Sequence, residues 1–357
     1  MNEKKFTTLI TLLVLYSCSQ KNPFPYTTKE FDLASNSSIT YGKKIDFEVL
    51  GLDDIFIWDS LLIITTNDAR GMVKVFNKNT FELLANLACK GRGHNEFTTL
   101  SNASWQAYVV NGDLMIPFQD YGVLKEINIT QSLLEHKTII GSSVECYYNG
   151  DFRSVAIDHN INNRFEYKSV LPDKVVRDKV TKPQYLIHNY DKKNIRKFKV
   201  FDSNVKSVLP QDLYSYVKST LYAHPNRNTF IQPFSIMNYI VVVDLDNKST
   251  FALHRSKTSS FNEVLPPLNN VETSFSSCVT TDDFFLILYF ADREQYIELT
   301  KGPKLLAFDW DGNLIASTIL DPFCLNIAFD NETSTLYGAD PFKEIMYSFD
   351  ISDILSQ

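Results

Sequence analysis

The sequence has few glycines, no linker rich in glycine or proline, and almost no helical periodicity. Its 357 residues include 12 glycines and 13 prolines, and nothing in their distribution divides the chain into separate domains. Hydrophobic residues make up 44% and aromatic residues 13% of the chain, which supports a large core and argues against disorder. The formal net charge is −7, so nucleic acid is not an expected partner, because phosphate binding needs a basic surface.

The common catalytic and metal-binding motifs are also missing. The sequence contains no Gly-x-Ser-x-Gly elbow, no His-Glu-x-x-His and no Gly-Lys-Ser/Thr. Its six histidines are scattered, and no two of the cysteines Cys89, Cys146, Cys278 and Cys324 are close enough for a Cys-x-x-Cys site. We therefore expect no cofactor, assign no disulfide, and do not favour enzymatic activity.

The N-terminus differs from the rest of the chain. An apolar run at residues 6–17 follows Lys4 and Lys5 and ends at Cys18. Twelve helical residues span about 18 Å, less than the about 30 Å of a bilayer core, so the run is typical of an export signal rather than a membrane anchor. The sequence LYSC at residues 15–18 resembles a bacterial lipobox. That resemblance implies that Cys18 is acylated, for example by palmitate, and becomes the first residue of the mature protein.

The lipobox also implies a cellular location and a domain organisation. Ser19 follows the cysteine where lipoproteins retained in the inner membrane carry aspartate, which indicates the outer membrane and leaves the leaflet open. We predict a signal peptide at 1–17, a lipidated N-terminus and tether at 18–37, and one folded domain at 38–357. An ordinary secretory peptide is the alternative.

A recurring two-strand unit fills the rest of the chain. Each copy has short apolar runs joined by a polar turn and closes with an aromatic or aliphatic residue next to Asn or Asp. The copies lie at 61–77, 113–128, 185–190, 228–244, 285–309 and 335–350, and they close at Asn77, Asn128, Asn189, Asp244, Asp309 and Asp350. A repeat of roughly 40–65 residues with about four strands indicates a propeller blade, so six copies predict an all-β, six-bladed β-propeller.

The two ends of the chain are expected to close this ring. The last copy lacks a full outer strand, because only ISDILSQ follows Asp350. The strand-like segment 38–50 would pair with the last blade and cover an edge that is otherwise prone to aggregation. Two stacked β-sandwiches are the alternative fold.

The segment GRGHNEF, residues 91–97, lies at the predicted crossing from the first blade to the second. It resembles the Gly-x-Gly-Pro-Gly-Glu-Phe/Tyr motif of TolB-like six-bladed propeller lipoproteins of Bacteroidota. The matching residues are Gly91, Gly93, Glu96 and Phe97, whereas His94 and Asn95 replace proline and glycine. We expect a structural corner, in which the glycines permit a change of direction, Glu96 accepts backbone hydrogen bonds and Phe97 packs between blades.

Strand direction alternates within a blade, so the turns between second and third strands share one face with the blade-to-blade crossings. We call this the crossing face. The polar residues predicted on it are Asp68, Arg70, Arg92, His94, Asp120, Tyr121, Asp292, Arg293 and Asp340. We expect an envelope protein, peptide or glycan to bind on this face and at the mouth of the central channel there.

Three other interpretations stay open. The aspartates of the crossing face are also explained as turn caps. The chain could instead be a metal-dependent hydrolase or lactonase that works in the channel, or a scaffold within an envelope complex. The lining of the channel distinguishes a binding module from a metal-dependent enzyme, because the enzyme needs several convergent carboxylate or histidine ligands.

Overall fold

The computed structural model describes the backbone of residues 26–33, 38–102, 106–120, 123–145, 152–158, 163–168, 184–189, 194–199, 220–235, 238–255, 274–290 and 302–356. Side chains are described throughout these ranges except at residue 102 and from residue 144 to residue 199. The predicted signal peptide and Cys18 lie outside the described residues.

The described strands form six β-sheets. Three N-terminal strands come first: β1 (Thr27–Phe31), β2 (Ser38–Tyr41) and β3 (Lys43–Lys44). Sheet I contains β4 (Leu52–Trp58), β5 (Leu61–Thr66), β6 (Val73–Asn77) and β7 (Leu83–Leu87). Sheet II contains β8 (Ser101–Asn102), β9 (Tyr108–Val110), β10 (Asp113–Asp120), β11 (Val123–Asn128) and, after helix α1 (Ile129–Glu135), β12 (Ile140–Glu145).

Four further sheets follow in the same order along the chain. Sheet III contains β13 (Phe152–Asp158), β14 (Asn163–Lys168), β15 (Gln184–Asn189) and β16 (Asn194–Lys199). Sheet IV contains β17 (Tyr222–Ala223), β18 (Thr229–Pro233), β19 (Tyr239–Asp244) and β20 (Ser249–Arg255). Sheet V contains β21 (Phe275–Thr280), β22 (Phe284–Tyr289), β23 (Lys304–Asp309) and β24 (Leu314–Asp321). Sheet VI contains β25 (Asn326–Asp330), β26 (Thr335–Asp340) and β27 (Ile345–Asp350), and helix α2 (Ser352–Leu355) follows it.

The repeated units of the sequence supply the middle strands of the sheets. Their six closing residues each end the strand that is third from the inner edge of its sheet, with β8 and β9 together forming the inner edge of sheet II: Asn77, Asn128, Asn189, Asp244, Asp309 and Asp350. Where side chains are described, each closing side chain accepts a backbone N–H from the turn that follows, as in the bonds from Asn79 and Thr80 to Asn77 and from Asn313 to Asp309. Gly312 has a φ of 85° in one of these turns, a conformation that favours glycine. The predicted repeat is therefore confirmed as a structural unit.

Five sheets pack face to face in the spatial order IV, V, VI, I, II. Each neighbouring pair shares one buried apolar cluster, to which both sheets contribute: Ile240 and Phe285, Leu305 and Phe329, Ile64 and Met346, and Val75 and Phe118. This succession of antiparallel sheets around a common centre is a β-propeller, so the two-sandwich alternative is wrong. The described side chains show five packed blades where the sequence predicts six. Sheet III is described by its backbone pairing alone, so the ring of six stays a prediction.

The N-terminal strands extend the outer edges of three sheets. β1 pairs in parallel with β20, β2 pairs in parallel with β24, and β3 pairs antiparallel with β27. The expected single strand at 38–50 is therefore divided, and its pairing with the last sheet is limited to Lys43–Lys44 and the bond from the Ile45 N–H to the Met346 carbonyl. Within the predicted tether, Thr27–Phe31 belong to the folded domain, because Phe31 is buried and its ring centroid lies 5.2 Å from that of Phe308.

Candidate functional site

The crossing motif at residues 91–97 folds around the carboxylate of Glu96. The Gly93 N–H donates to Oε2 of Glu96 at 2.7 Å, and the Glu96 N–H donates to the Gly93 carbonyl at 3.1 Å. A Cβ on Gly91 would collide with the same Oε2. Gly91 is not among the residues with positive φ, so space for Glu96, rather than a left-handed turn, explains this glycine.

Phe97 is fully buried between sheets I and II. Its ring meets that of Phe118 edge-on, with centroids 6.5 Å apart. The ammonium group of Lys125 lies 4.8 Å from the centroid of the Phe97 ring and donates to the Glu96 carbonyl at 2.5 Å. The motif therefore forms a packed corner between two blades, as the sequence predicts.

Asp120 is buried and stabilises this corner. Its Oδ1 accepts the N–H groups of Thr98 and Thr99 at 3.1 and 3.0 Å. Its Oδ2 lies 2.8 Å from Nζ of Lys125, and both side chains are largely buried. These bonds hold the crossing segment against the end of β10.

Asp68 caps the turn between β5 and β6. Its Oδ1 accepts the N–H of Arg70 at 3.0 Å, and its Oδ2 accepts from Nζ of Lys74 at 3.1 Å. These bonds lower the pKa of Asp68 to about 2, and the hydrogen bond from the Arg70 backbone contributes most. The carboxylate is therefore ionised and already occupied at neutral pH.

Asp340 plays the same part between β26 and β27. It is buried, and its Oδ1 accepts the N–H groups of Phe342 and Lys343 at 3.1 and 3.3 Å. Its Oδ2 lies 3.0 Å from Nζ of Lys343. The turn-cap interpretation therefore describes Asp68 and Asp340 in this structure.

The predicted cationic residues of the same face point into solvent. The Arg70 side chain is 91% exposed and makes one long contact of 3.4 Å from its Nε to Asp68. Arg92 and His94 are exposed. The Lys90 N–H donates to the Ala69 carbonyl at 2.8 Å, which confirms that the crossing and the second turn share a face at this junction.

Several predicted residues cannot be placed. Tyr121, Asp292, Arg293 and Cys18 lie outside the described residues, and so does Cys146. Of the cysteines that the structure describes, Cys89 is exposed, Cys278 and Cys324 are buried, and all three are free thiols.

A cavity of about 160 Å³ lies at the opposite end of the channel. The residues that line it belong to the inner strands of sheets I, II, IV, V and VI and the positions next to them: 55–58, 106–107, 222–225, 278–280 and 327–329. In sheets I, IV and V these positions directly precede the turn to the second strand. That turn lies on the face opposite the crossings, which we call the hairpin face. The channel mouth predicted from the sequence lies on the crossing face, at the other end of the channel.

The described lining of this cavity is neutral and mostly apolar. Phe56 and Trp58 are partly exposed neighbours, with ring centroids 6.4 Å apart. Burial raises the pKa of the Cys278 thiol and of the Tyr222 phenol well above their usual values. Both groups therefore stay protonated at neutral pH, and the cavity offers aromatic surface with a few neutral polar groups, which is the usual character of a ligand pocket.

Hydrogen bonds between inner strands hold this lining in place. The Thr280 hydroxyl donates to the Ala223 carbonyl at 2.7 Å and joins sheets V and IV. The Ile327 N–H donates to the Ser277 hydroxyl at 3.1 Å and joins sheets VI and V. The cavity wall is therefore formed before any ligand arrives.

His224 connects the hairpins of two sheets at the rim of the cavity. Its Nδ1 accepts the N–H groups of Asn226 and Arg227 at 2.9 and 3.1 Å. Its Nε2 accepts from Nε of Arg227 at 2.7 Å and lies 3.1 Å from the Asp282 carbonyl. Its ring lies 4.5 Å from that of Trp310. Burial, followed by the charge of Arg227, lowers the pKa of His224. The imidazole is therefore neutral at pH 7 and links the hairpins of sheets IV and V.

The cavity is not predicted by the sequence repeat, because the repeat marks only second and third strands. The signal available was the alternation of β4, in which Ile55 and Ile57 are buried while Phe56 and Trp58 are partly exposed. Both aromatic residues line the cavity, and they also pack against the buried core that sheets I and II share. Among the residues that the structure describes, no group of three or more His, Cys, Asp or Glu side chains could hold a metal ion, and no helix has the length and apolar character needed to cross a bilayer.

The chain resembles solved structures in fold. No family model matches it, and no curated protein matches it. A candidate exported protein from Bacteroides fragilis has a TM-score of 0.51 and 11% identity, covering 91% of this chain and 98% of that chain. A member of the DUF4221 family from Bacteroides vulgatus has a TM-score of 0.53 and 12% identity, covering 88% of this chain and 96% of that chain. At these identities the likeness shows the fold alone. The protein is an all-β protein of the β-propeller class, and it shares its fold with proteins from Bacteroides.

Proposed function

We propose that this protein is a non-catalytic binding module of the bacterial cell envelope, held to the outer membrane by a lipid on Cys18. The chemistry of the described channel lining is the observation that carries the proposal. A ligand at the hairpin face meets the rings of Phe56 and Trp58 and neutral polar groups such as Thr280. Such a lining suits recognition of an uncharged or apolar group of an envelope protein, peptide or glycan.

The proposal includes a complete ring of six blades. Sheet III lies between sheets II and IV in the chain and has the same four antiparallel strands as a blade. Lys43–Lys44 pair with β27, which supports ring closure by the N-terminal segment. The crossing corner built on Glu96 and Phe97 supports kinship with the TolB-like propeller lipoproteins, and the Bacteroides origin of the fold neighbours supports an exported location.

The binding function is tested on the full-length protein in detergent with a panel of neutral sugars and aromatic fragments. Ligand-observed NMR detects binders, and the melting temperature should rise with their concentration. Trp58→Ala should abolish the shift, Trp58→Phe should retain most of it, and the exposed control Leu134→Ala should leave it unchanged. Divalent-metal-dependent hydrolysis of lactones or esters that a chelator abolishes would instead establish the hydrolase alternative.

The lipid anchor is tested separately. Cys18→Ser should move the protein from the membrane fraction to the soluble fraction and abolish incorporation of labelled palmitate. Cys89→Ser is the matched control, because Cys89 is exposed and lies in the folded domain. A Cys18→Ser protein that still incorporates palmitate would contradict the assignment.

A further inference from the structure

Four described carboxylates of the crossing face are engaged within the fold. Those of Asp68, Glu96, Asp120 and Asp340 accept hydrogen bonds within their own turns or crossing. Three of the four also lie within 4 Å of a lysine ammonium group. These acidic residues are therefore neutralised locally and offer little to a partner.

The basic residues remain available. Arg70, Lys90, Arg92 and His94 are exposed, and we call them the basic cluster. Within the part of the chain that the structure describes, the side chains of Lys90, Arg92 and His94 form no hydrogen bond or ion pair. The Lys90 N–H bonds the Ala69 carbonyl, and the Cys89 thiol lies 3.1 Å from the Arg70 carbonyl, so the turn and the crossing that carry the cluster are in direct contact.

The basic cluster is positively charged, whereas the protein as a whole has a formal net charge of −7. Exposed acidic residues also lie on this face, because Asp46 and Glu48 belong to the crossing from sheet VI to sheet I, so the basic cluster is confined to the junction of sheets I and II. An exposed basic cluster on an acidic protein steers and selects an anionic partner.

Two exposed apolar residues lie on the same face. Leu50 is 75% and Phe342 is 62% exposed, and we call them the apolar pair. The Gly51 N–H donates to Oε1 of Glu344 at 2.7 Å, which joins the segments that carry the pair. The Asn67 N–H donates to the Gly51 carbonyl at 3.1 Å, which places the pair beside the turn that contains Arg70. Apolar anchors next to arginines are typical of protein interfaces.

A membrane surface also attracts apolar and basic groups, but the direction of β1 argues against it. β1 runs parallel to β20 from Thr27 beside Phe251 to Phe31 beside Arg255. Because β20 begins after the turn that closes β19, β1 starts at the hairpin face. Cys18 precedes Thr27 by nine residues, which reach at most about 30 Å. The segment that carries the proposed lipid therefore joins the folded domain at the hairpin face, opposite the basic cluster.

We propose that the crossing face docks a protein partner through an acidic segment flanked by apolar side chains. The guanidinium groups of Arg70 and Arg92 pair with its carboxylates, and the apolar pair packs against its apolar side chains. This inference rests on the proposed binding function and adds a second surface, on the opposite face from the cavity.

The test uses a fluorescently labelled peptide in which Glu-Asp pairs alternate with Leu-Phe pairs. Its affinity for the full-length protein in detergent is measured by fluorescence anisotropy. We expect the affinity to fall as the salt concentration rises from about 50 to about 300 mM, because salt screens ion pairs. We expect Arg70→Glu/Arg92→Glu to bind at least about tenfold more weakly, because reversing two ion pairs costs more than about 1.4 kcal/mol of binding free energy. Leu50→Ser/Phe342→Ser should also weaken it. Lys248→Glu and Leu134→Ser, both exposed away from the crossing face, are matched controls that should change binding less than about twofold.

Three results would overturn the inference. The first is unchanged peptide affinity in Arg70→Glu/Arg92→Glu. The second is equal affinity for a peptide in which Gln and Asn replace Glu and Asp. The third is binding of phosphatidylglycerol vesicles, but not of the peptide, that depends on Arg70 and Arg92, which would make the face a membrane surface. Fragment binding that persists in Arg70→Glu/Arg92→Glu keeps the cavity function separate, so either proposal can fail alone.

Discussion

Nζ of Lys78 lies 2.8 Å from Oδ2 of Asp330, and the two side chains are only 5% and 4% exposed. Lys78 follows β6 of sheet I, whereas Asp330 ends β25 of sheet VI. The hydroxyl of Thr333 donates to the same carboxylate oxygen at 2.9 Å. A buried ion pair thus joins the first and last sheets of the chain on the hairpin face.

Removing one member of this pair should destabilise the protein strongly. Lys78→Met leaves the Asp330 carboxylate buried without its counter-ion, and such changes lower the free energy of unfolding by about 3–5 kcal/mol. The double variant Lys78→Met/Asp330→Leu should be more stable than Lys78→Met, because it buries no charge. Urea unfolding measures both. A single variant within about 0.5 kcal/mol of the wild type would show that the pair is solvated.

The same pair predicts a pH dependence of stability. Burial opposes ionisation of both groups, but the hydrogen bonds between them outweigh it, so the pKa of Asp330 is lowered and that of Lys78 is raised. The stabilisation by Asp330 is present above about pH 3.9, its unfolded pKa, and is lost as pH falls through the lowered folded pKa. The stabilisation by Lys78 is present below about pH 10.4 and is lost as pH rises through the raised folded pKa.

Melting temperatures from pH 2 to 11 check this dependence. The difference between the wild type and Lys78→Met/Asp330→Leu should be constant between about pH 5 and 10 and should change outside that range. A difference that varies smoothly across neutral pH would contradict the assignment, because neither group titrates there.

Gly91→Ala should destabilise the crossing corner, because the new Cβ displaces the carboxylate of Glu96. We expect a loss of about 1–3 kcal/mol in the free energy of unfolding, typical of overpacking. In the Glu96→Ala background the same change should have a smaller effect, since the colliding group is absent. Denaturant unfolding of the four proteins of this cycle measures the coupling, and purely additive effects would argue against it.

Phe31→Ala tests whether the N-terminal strand belongs to the folded propeller. Phe31 packs against Phe308 in the core of sheets IV and V, so the change should lower the free energy of unfolding by about 3–5 kcal/mol. Tyr41→Ala is the matched control, because Tyr41 on β2 is mostly exposed. If both variants unfolded at the same denaturant concentration, residues 27–31 would be a loose tether after all.

His224 should titrate below its usual pKa of 6.5, since burial and Arg227 disfavour the imidazolium form. Its stabilising contribution is therefore present above about pH 6.5 and is lost as pH falls through the lowered folded pKa. NMR titration of the ring carbons measures the pKa, with His224→Asn used to assign the signal. A pKa at or above 6.5 would contradict the neutral, doubly accepting Nδ1.

The sequence was a good guide wherever a residue acts on its immediate neighbours. Asn77 and Asp309 mark strand ends because their side chains bond backbone N–H groups a few residues away, a local property that any copy of the repeat displays. Phe97 was correctly placed between blades because its position follows from the strand count. The role of Gly91 was misread, because the space it leaves is filled by a side chain whose rotamer the sequence does not state.

By itself the sequence determined the β-propeller class, since apolar periodicity and turn chemistry are local and repeat along the chain. Tertiary structure alone decided that Thr27–Phe31 joins sheet IV and that the cavity opens on the hairpin face. It also decided that Asp68, Asp120 and Asp340 bond within the fold while Arg70 and Arg92 stay exposed. The physical reason is that these features depend on contacts between residues far apart in the chain, whose partners are set by how the blades pack.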